Sequence, residues 1–254
     1  MGSYDSMRTF DLDMKRHLPN FLTTLNLCSG CIALVLLFRG NAEGATWLVF
    51  AATLFDVLDG MVARWLGVQS PIGKELDSLA DMVTFGVLPG VILFRLLQQT
   101  ELEAWVGNTT LASAVQFFPF IVTAFSALRL AKFNIDTRQA TGFIGLPTPA
   151  NTLWIVSLPL IILKDPYGWG SWLLHPGVLL VISAVSSFLL VAEIPLFSFK
   201  FSGFDFAKNL YQLLLMLAAA ILLFVFSYAA WPMIIALYVL LSLIKNHFTA
   251  TQQS

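Results

Sequence analysis

A chain of 254 residues that is 57% hydrophobic and only 11% charged, with a mean hydropathy of +0.79, exposes too little charge for a water-soluble domain of that length. A net charge of −1, with no cationic stripe in the sequence, excludes a surface that tracks a nucleic-acid backbone. The remaining reading is a protein of the bilayer.

Apolar runs recur from end to end, at residues 22–38, 45–55, 79–97, 111–131, 153–163, 173–192, 210–226 and 233–244. They predict an all-α polytopic integral membrane helical bundle with about eight transmembrane helices. Polar turns separate them at 39–44, 98–110, 164–172 and 197–209, none long enough for a further soluble domain. No internal repeat is evident. Short cytoplasmic loops carry an excess of Lys and Arg. A cytoplasmic N-terminus places Arg8, Lys15, Arg16, Arg64, Lys74, Arg129, Lys132, Arg138, Lys200, Lys208 and Lys245 inside, leaving Arg39, Arg95 and Lys164 on the other face.

Among fifteen acidic residues, four aspartates gather between the second and third crossings: Asp56, Asp59, Asp77 and Asp81. Carboxylates near hydrocarbon are costly and need a positive partner, for which a divalent metal ion is the expected choice. Asp56 and Asp59 are three apart, and Asp77 and Asp81 four apart, so each pair projects from one face of its helix. With the turn between them at 65–73, both pairs fall at the cytoplasmic end, where a charged substrate with a lipid tail can reach them. Gly60 and Ala63 continue the first face and leave a groove without side-chain bulk. Arg64 lies on the same stripe nearer the water, able to take a phosphate bidentately. Gly73, just after Pro71, is expected to open the third helix close to whatever lies in the groove. Carboxylates for metal and an Arg with small residues for a metal-bound diphosphate form one set.

The spacing Asp56, Asp59-Gly60, Ala63-Arg64, Gly73, Asp77, Asp81 resembles the signature of the CDP-alcohol phosphotransferases without departure. These are integral membrane enzymes that move a phosphatidyl or related group from a CDP-activated donor to an alcohol and release CMP. Further segments resemble the membrane-embedded bacterial phosphatidylserine synthases: H-L-P-N-F-L-T-T-L-N-L from His17, A-L-R-L-A-K-F-N from Ala127, G-L-P-T-P-A from Gly145, and S-F-K ending at Lys200. One departure is Lys132 in place of Arg, which keeps the charge and loses the planar fork.

The resemblance implies two divalent cations, Mg2+ or Mn2+, with Asp56 and Asp77 bridging them, Asp59 completing the first site and Asp81 reaching the second. It implies CDP-diacylglycerol as donor, with Arg64 on the diphosphate, Gly60, Ala63 and Gly73 admitting the nucleotide, and Asn20 and Ser70 as further contacts. L-serine would be the acceptor, Asp81 the general base, and Arg129, Lys132 and Asn134 the residues recognising serine. A cytoplasmic tail (1–16), a six-helix catalytic core (17–195), a C-terminal loop with a two-helix hairpin (196–254), a homodimer and a bacterial inner-membrane location complete the expectation.

Other features read more plainly. Cys28 and Cys31 form a C-x-x-C spacing in the first run, where close packing of small residues is expected rather than redox or zinc chemistry. His17, His175 and His247 are scattered at helix ends, and Trp and Tyr near the ends read as interface belts. Residues 143–151 read as a shaped loop. Residues 1–6 fit an acylation pattern superficially but read better as an addition or alternative start ahead of Met7. A cation transporter would place acids at midplane in two related halves. The same transfer to glycerol 3-phosphate, inositol phosphate or choline is the nearer rival, since the acceptor is not set by the acids.

Overall fold

The computed structural model describes the backbone over residues 2–135, 143–197 and 209–251 and side chains over 17–135, 144–197 and 209–247. Arg138, Lys200 and Lys208 lie outside the described residues, as do the side chains of residues 1–6 and of Arg8, Lys15 and Arg16. Helices His17–Phe38, Ala42–Leu66, Pro71–Leu97, Thr109–Ile135 and Leu210–His247 are each long and apolar enough to cross a membrane, and Thr148–Lys164 and Pro176–Val191 are shorter apolar helices. The Leu210–His247 stretch turns at Ser227, whose φ is 50°, so two helices replace one. The described residues therefore hold a helical segment at every apolar run, and the chain is an all-α, multi-pass membrane protein. Phe224, 92% exposed, is one of many large apolar side chains that only hydrocarbon suits.

Two compact units divide the chain, Met1–Leu88 and Pro89–Ser254. In the first, α1 (Gly2–Phe38) packs on α2 (Ala42–Leu66) and α3 (Pro71–Asp81). The row Pro19, Thr23, Asn26, Gly30, Ala33 and Leu37 is buried. Its alternating steps of four and three residues are those of a helix seam held against a neighbour. Gly30 is needed in that row because a Cβ there would overlap Thr84, whose hydroxyl donates to the Asn26 carbonyl at 3.2 Å. Close packing in this run is thus made by Gly30, while Cys28 and Cys31 face outward.

α2 stops where Gly67 takes a left-handed conformation (φ 66°) and Val68 N–H returns to the Ala63 carbonyl at 3.0 Å. Ser70 then caps α3 by accepting from Gly73 N–H at 3.1 Å, with Pro71 as the first helical residue. The turn is therefore shorter than expected, and Gly73 sits inside the first turn rather than opening the helix. Beyond Asp81 the helix widens into a π segment, Met82–Val87, in which Leu88 N–H reaches Val83 O. Pro89 has no N–H to give to the Phe85 carbonyl, which loosens the α register at this place.

The second unit comprises α4 (Leu88–Leu97, from its second residue), α5 (Leu102–Val106), α6 (Thr109–Val115), α7 (Phe120–Ile135), α8 (Thr148–Lys164), α9 (Gly170–Leu173), α10 (Pro176–Val191), α11 (Leu210–Phe226) and α12 (Ala230–Thr251). A two-residue antiparallel pair, β1 (Phe143–Ile144) with β2 (Pro195–Leu196), ties the segment before α8 to the end of α10. Gly145, with φ of 76°, lies so near the Leu190 carbonyl that a Cβ would stand 2.6 Å from it. Residues 143–147 are accordingly the shaped loop expected, and Thr148 to Asn151 already belong to α8. Leu146, Leu196, Leu215, Ile234 and Tyr238 meet in a core shared by this loop and the α11–α12 hairpin.

Candidate functional site

The acid cluster lies within the first unit. Asp56, Asp59 and Asp77 each place a carboxylate oxygen within 4.8 Å of the others. Asp56 stands beside Asp81 as well. Asp59 and Asp81 are 5% and 8% exposed, and Asp56 and Asp77 are half-buried. The two pairs, each local to one helix, converge as the spacing predicts.

α1 supplies donors that the sequence reading did not assign. Thr23 donates to Asp59 Oδ2 at 2.5 Å, and Asn26 Nδ2 donates to Asp81 Oδ1 at 3.2 Å. Both belong to the buried row of α1, and both lie in the His17 segment that carried the family resemblance. With its amide nitrogen committed to Asp81, Asn26 turns its Oδ1 elsewhere. That oxygen and Asp77 Oδ1 are buried with no hydrogen-bond partner. Acceptors left unpaired beside three further carboxylates repel one another unless a cation stands among them. Hard oxygen donors of this kind suit a divalent ion such as Mg2+ or Mn2+, so the residues present fit the cofactor expected of them.

The residues expected to meet the donor form the second part of the candidate site. Arg64 is exposed in the last turn of α2 and folds back along it, so that a Cβ on Gly60 would stand 3.4 Å from its Nη1. Ala63 is half-buried beside it in sequence. Asn20 Oδ1 and Ser70 Oγ would lie 3.1 and 3.0 Å from a Cβ on Gly73. Asn20, Ser70 and Gly73 therefore meet at one point, and bare backbone at Gly60 and Gly73 leaves the cradle open.

The residues expected to recognise serine do not share a surface. Arg129 on α7 is 6% exposed, touches Thr148 Oγ1 at 3.5 Å and lies 5.6 Å from the centre of the Phe133 ring. Lys132 is exposed and Asn134 half-buried. α7 packs against α10, which draws Val122, Ser126 and Arg129 inward and leaves Lys132 outside.

The family model for CDP-alcohol phosphatidyltransferase matches residues 16–189. Proteins named CDP-diacylglycerol–serine O-phosphatidyltransferase are similar to this chain in several organisms. The one from Mycobacterium leprae is 35% identical over 186 residues, covering 70% of this chain and 57% of that protein. The one from Bacillus subtilis is 31% identical over 184 residues, covering 72% and 92%, and the one from Helicobacter pylori is 30% identical over 230 residues, covering 89% and 90%. The matched part is thus little more than half of the mycobacterial relatives' length. The family match takes in all three helices that build the acid cluster together with the cradle beside it, and the chain belongs to the CDP-alcohol phosphatidyltransferase family.

Proposed function

We propose that this chain transfers the phosphatidyl group of CDP-diacylglycerol to the hydroxyl of L-serine, giving phosphatidylserine and CMP. It acts at the cytoplasmic face of a bacterial inner membrane with its N-terminus inside, as a homodimer. Residues 17–195 form the catalytic core, and 196–254 the C-terminal loop and hairpin. The observation that carries this reading is the meeting of Asp56, Asp59 and Asp77 oxygens within 4.8 Å beside buried acceptors that lack partners.

Asp56 and Asp77 would stand between two divalent cations, Mg2+ or Mn2+, with Asp59 on the first and Asp81 on the second. Bound there, the cations would offset the charge on the phosphate oxygens and on the departing CMP. Arg64 holds a diphosphate oxygen with its planar fork. Gly60, Ala63 and Gly73 give the nucleotide room, and Asn20 and Ser70 offer it hydrogen bonds. Asp81 accepts from Asn26 on one oxygen and takes the serine hydroxyl proton on the other. As the new oxygen–phosphorus bond forms, the bond from that phosphorus to the CMP oxygen breaks, and the proton leaves to water.

The test is purified protein with CDP-diacylglycerol, Mg2+ or Mn2+, and each of serine, glycerol 3-phosphate, inositol phosphate and choline, following CMP release. Serine alone should release CMP, and chelation should stop it. Release with another acceptor instead overturns the serine assignment, and release with none overturns the transferase reading. Asp81→Asn should abolish turnover; full activity in that variant removes Asp81 as the base.

A further inference from the structure

The middle of α1 carries a neutral amide into the acid cluster. Asn26 is 0% exposed and is held at two points, by α3 and by the π segment beyond it. Its Nδ2 donates to Asp81 Oδ1 at 3.2 Å, and its main-chain carbonyl accepts from the Thr84 hydroxyl at 3.2 Å. A carboxylate can only accept, so the nitrogen end of the amide must face Asp81 and the oxygen end is left over. That oxygen belongs to the same small planar group, and it is buried with no hydrogen-bond partner among the described residues. The hydroxyls at hand are committed, Thr23 to Asp59 and Thr84 to the Asn26 main chain. Turning the amide over would set its oxygen against the Asp81 carboxylate.

A buried carbonyl without a donor costs stability unless something positive meets it. The surroundings select what that is. An ammonium group, such as an amino-acid acceptor carries, would be repelled by cations seated on the neighbouring carboxylates. The nucleotide of the proposed donor belongs with Asn20, Ser70 and Gly73, and Asn26 lies six residues further along α1 than Asn20, a rise of about 9 Å. A divalent cation remains. Mg2+ and Mn2+ take hard oxygen ligands, carbonyls among them. Charge explains why the residue is an amide: four carboxylates already offset two dications, and a fifth would leave an excess negative charge in the bilayer. An amide adds a ligand oxygen and no charge.

We propose that Asn26 is a direct cation ligand supplied by α1, its Oδ1 coordinating the ion that Asp81 serves. The proposal rests on the reading of the acid cluster as a metal centre and adds to it a ligand from a third helix. It separates the two polar residues of the α1 row: Thr23 stands behind a ligand, and Asn26 is one.

The experiment uses the whole chain in detergent, loaded with Mn2+ alone and carrying asparagine labelled with carbon-13 at the side-chain carbonyl, and reads the manganese–carbon coupling by electron–nuclear double resonance. Wild type should show the coupling of a directly bound carbonyl. Asn26→Ala should lose it and bind Mn2+ about tenfold more weakly, whereas Asn20→Ala should keep it. Should N26A fail to fold, Asn26→Asp, close in shape and without label at that position, replaces it for the coupling. Mn2+ bound without the coupling, a coupling that places the carbon one water further out, or one that persists in the Asn26 variants overturns the proposal and leaves the acids as a metal centre. Unchanged Mn2+ affinity in N26A overturns it as well. Wild type that binds no Mn2+ overturns the metal reading itself, and this proposal with it.

Discussion

Thr23 holds Asp59 through a buried hydrogen bond from a helix 36 positions away in sequence. A donor behind a metal-binding carboxylate fixes its rotamer, and losing such a partner typically costs about tenfold to a hundredfold in metal affinity or activity. Thr23→Val should therefore weaken Mn2+ binding by about tenfold, read by spin-resonance titration, whereas Thr23→Ser should retain it. Equal Mn2+ affinity in the valine variant would show that Asp59 needs no such support. Arg64 makes a different prediction. Its fork fits a diphosphate better than an ammonium can, so on the proposed transfer Arg64→Lys should raise the CDP-diacylglycerol KM by roughly tenfold while serine KM stays constant.

At the scale of helices, Gly30 decides how near α1 comes to the π segment. Gly30→Val would drive a side chain into Thr84 and separate Thr23 and Asn26 from their carboxylates. The expected result is a protein that still inserts but melts several degrees lower and loses most of its turnover, measured by thermal unfolding in detergent and by CMP release. The helices and the convergence of the four acids were legible in the sequence because both are local: an apolar run marks a crossing, and steps of three or four residues put two carboxylates on one face. Thr23 and Asn26 were not legible as partners, since they meet Asp59 and Asp81 across 36 and 55 positions and no short period joins them. Their buried row also mixes Pro, Thr, Asn and Gly with Ala and Leu, so it does not stand out from the apolar residues around it. The π segment is a property of hydrogen-bond register, which residue types fix only loosely. Arg129 and Lys132 looked equivalent at one helix end, and only the packing of α7 on α10 tells the inward cation from the outward one.

For the molecule as a whole, unpartnered acceptors in the acid cluster imply that cation binding and folding are linked. An ion that binds the folded form alone adds about 2.7 kcal/mol at a hundred times its dissociation constant. Millimolar Mg2+ or Mn2+ should thus raise the melting temperature of wild type, and Asp56→Asn with Asp77→Asn should remove that rise; a rise that persists in the double variant would place the ions elsewhere. The row along α1 has a further consequence. It touches the carboxylates through Thr23 and Asn26 and is keyed to Thr84 through Gly30 one turn further along, so the rod cannot slide or tilt without breaking one engagement or the other. Membranes that are too thin or too thick pull on a spanning rod by mismatch. On the proposed transfer, the protein reconstituted in lipids of increasing tail length should therefore turn over fastest at one thickness and slow on either side, so that the membrane receiving the product would govern its synthesis.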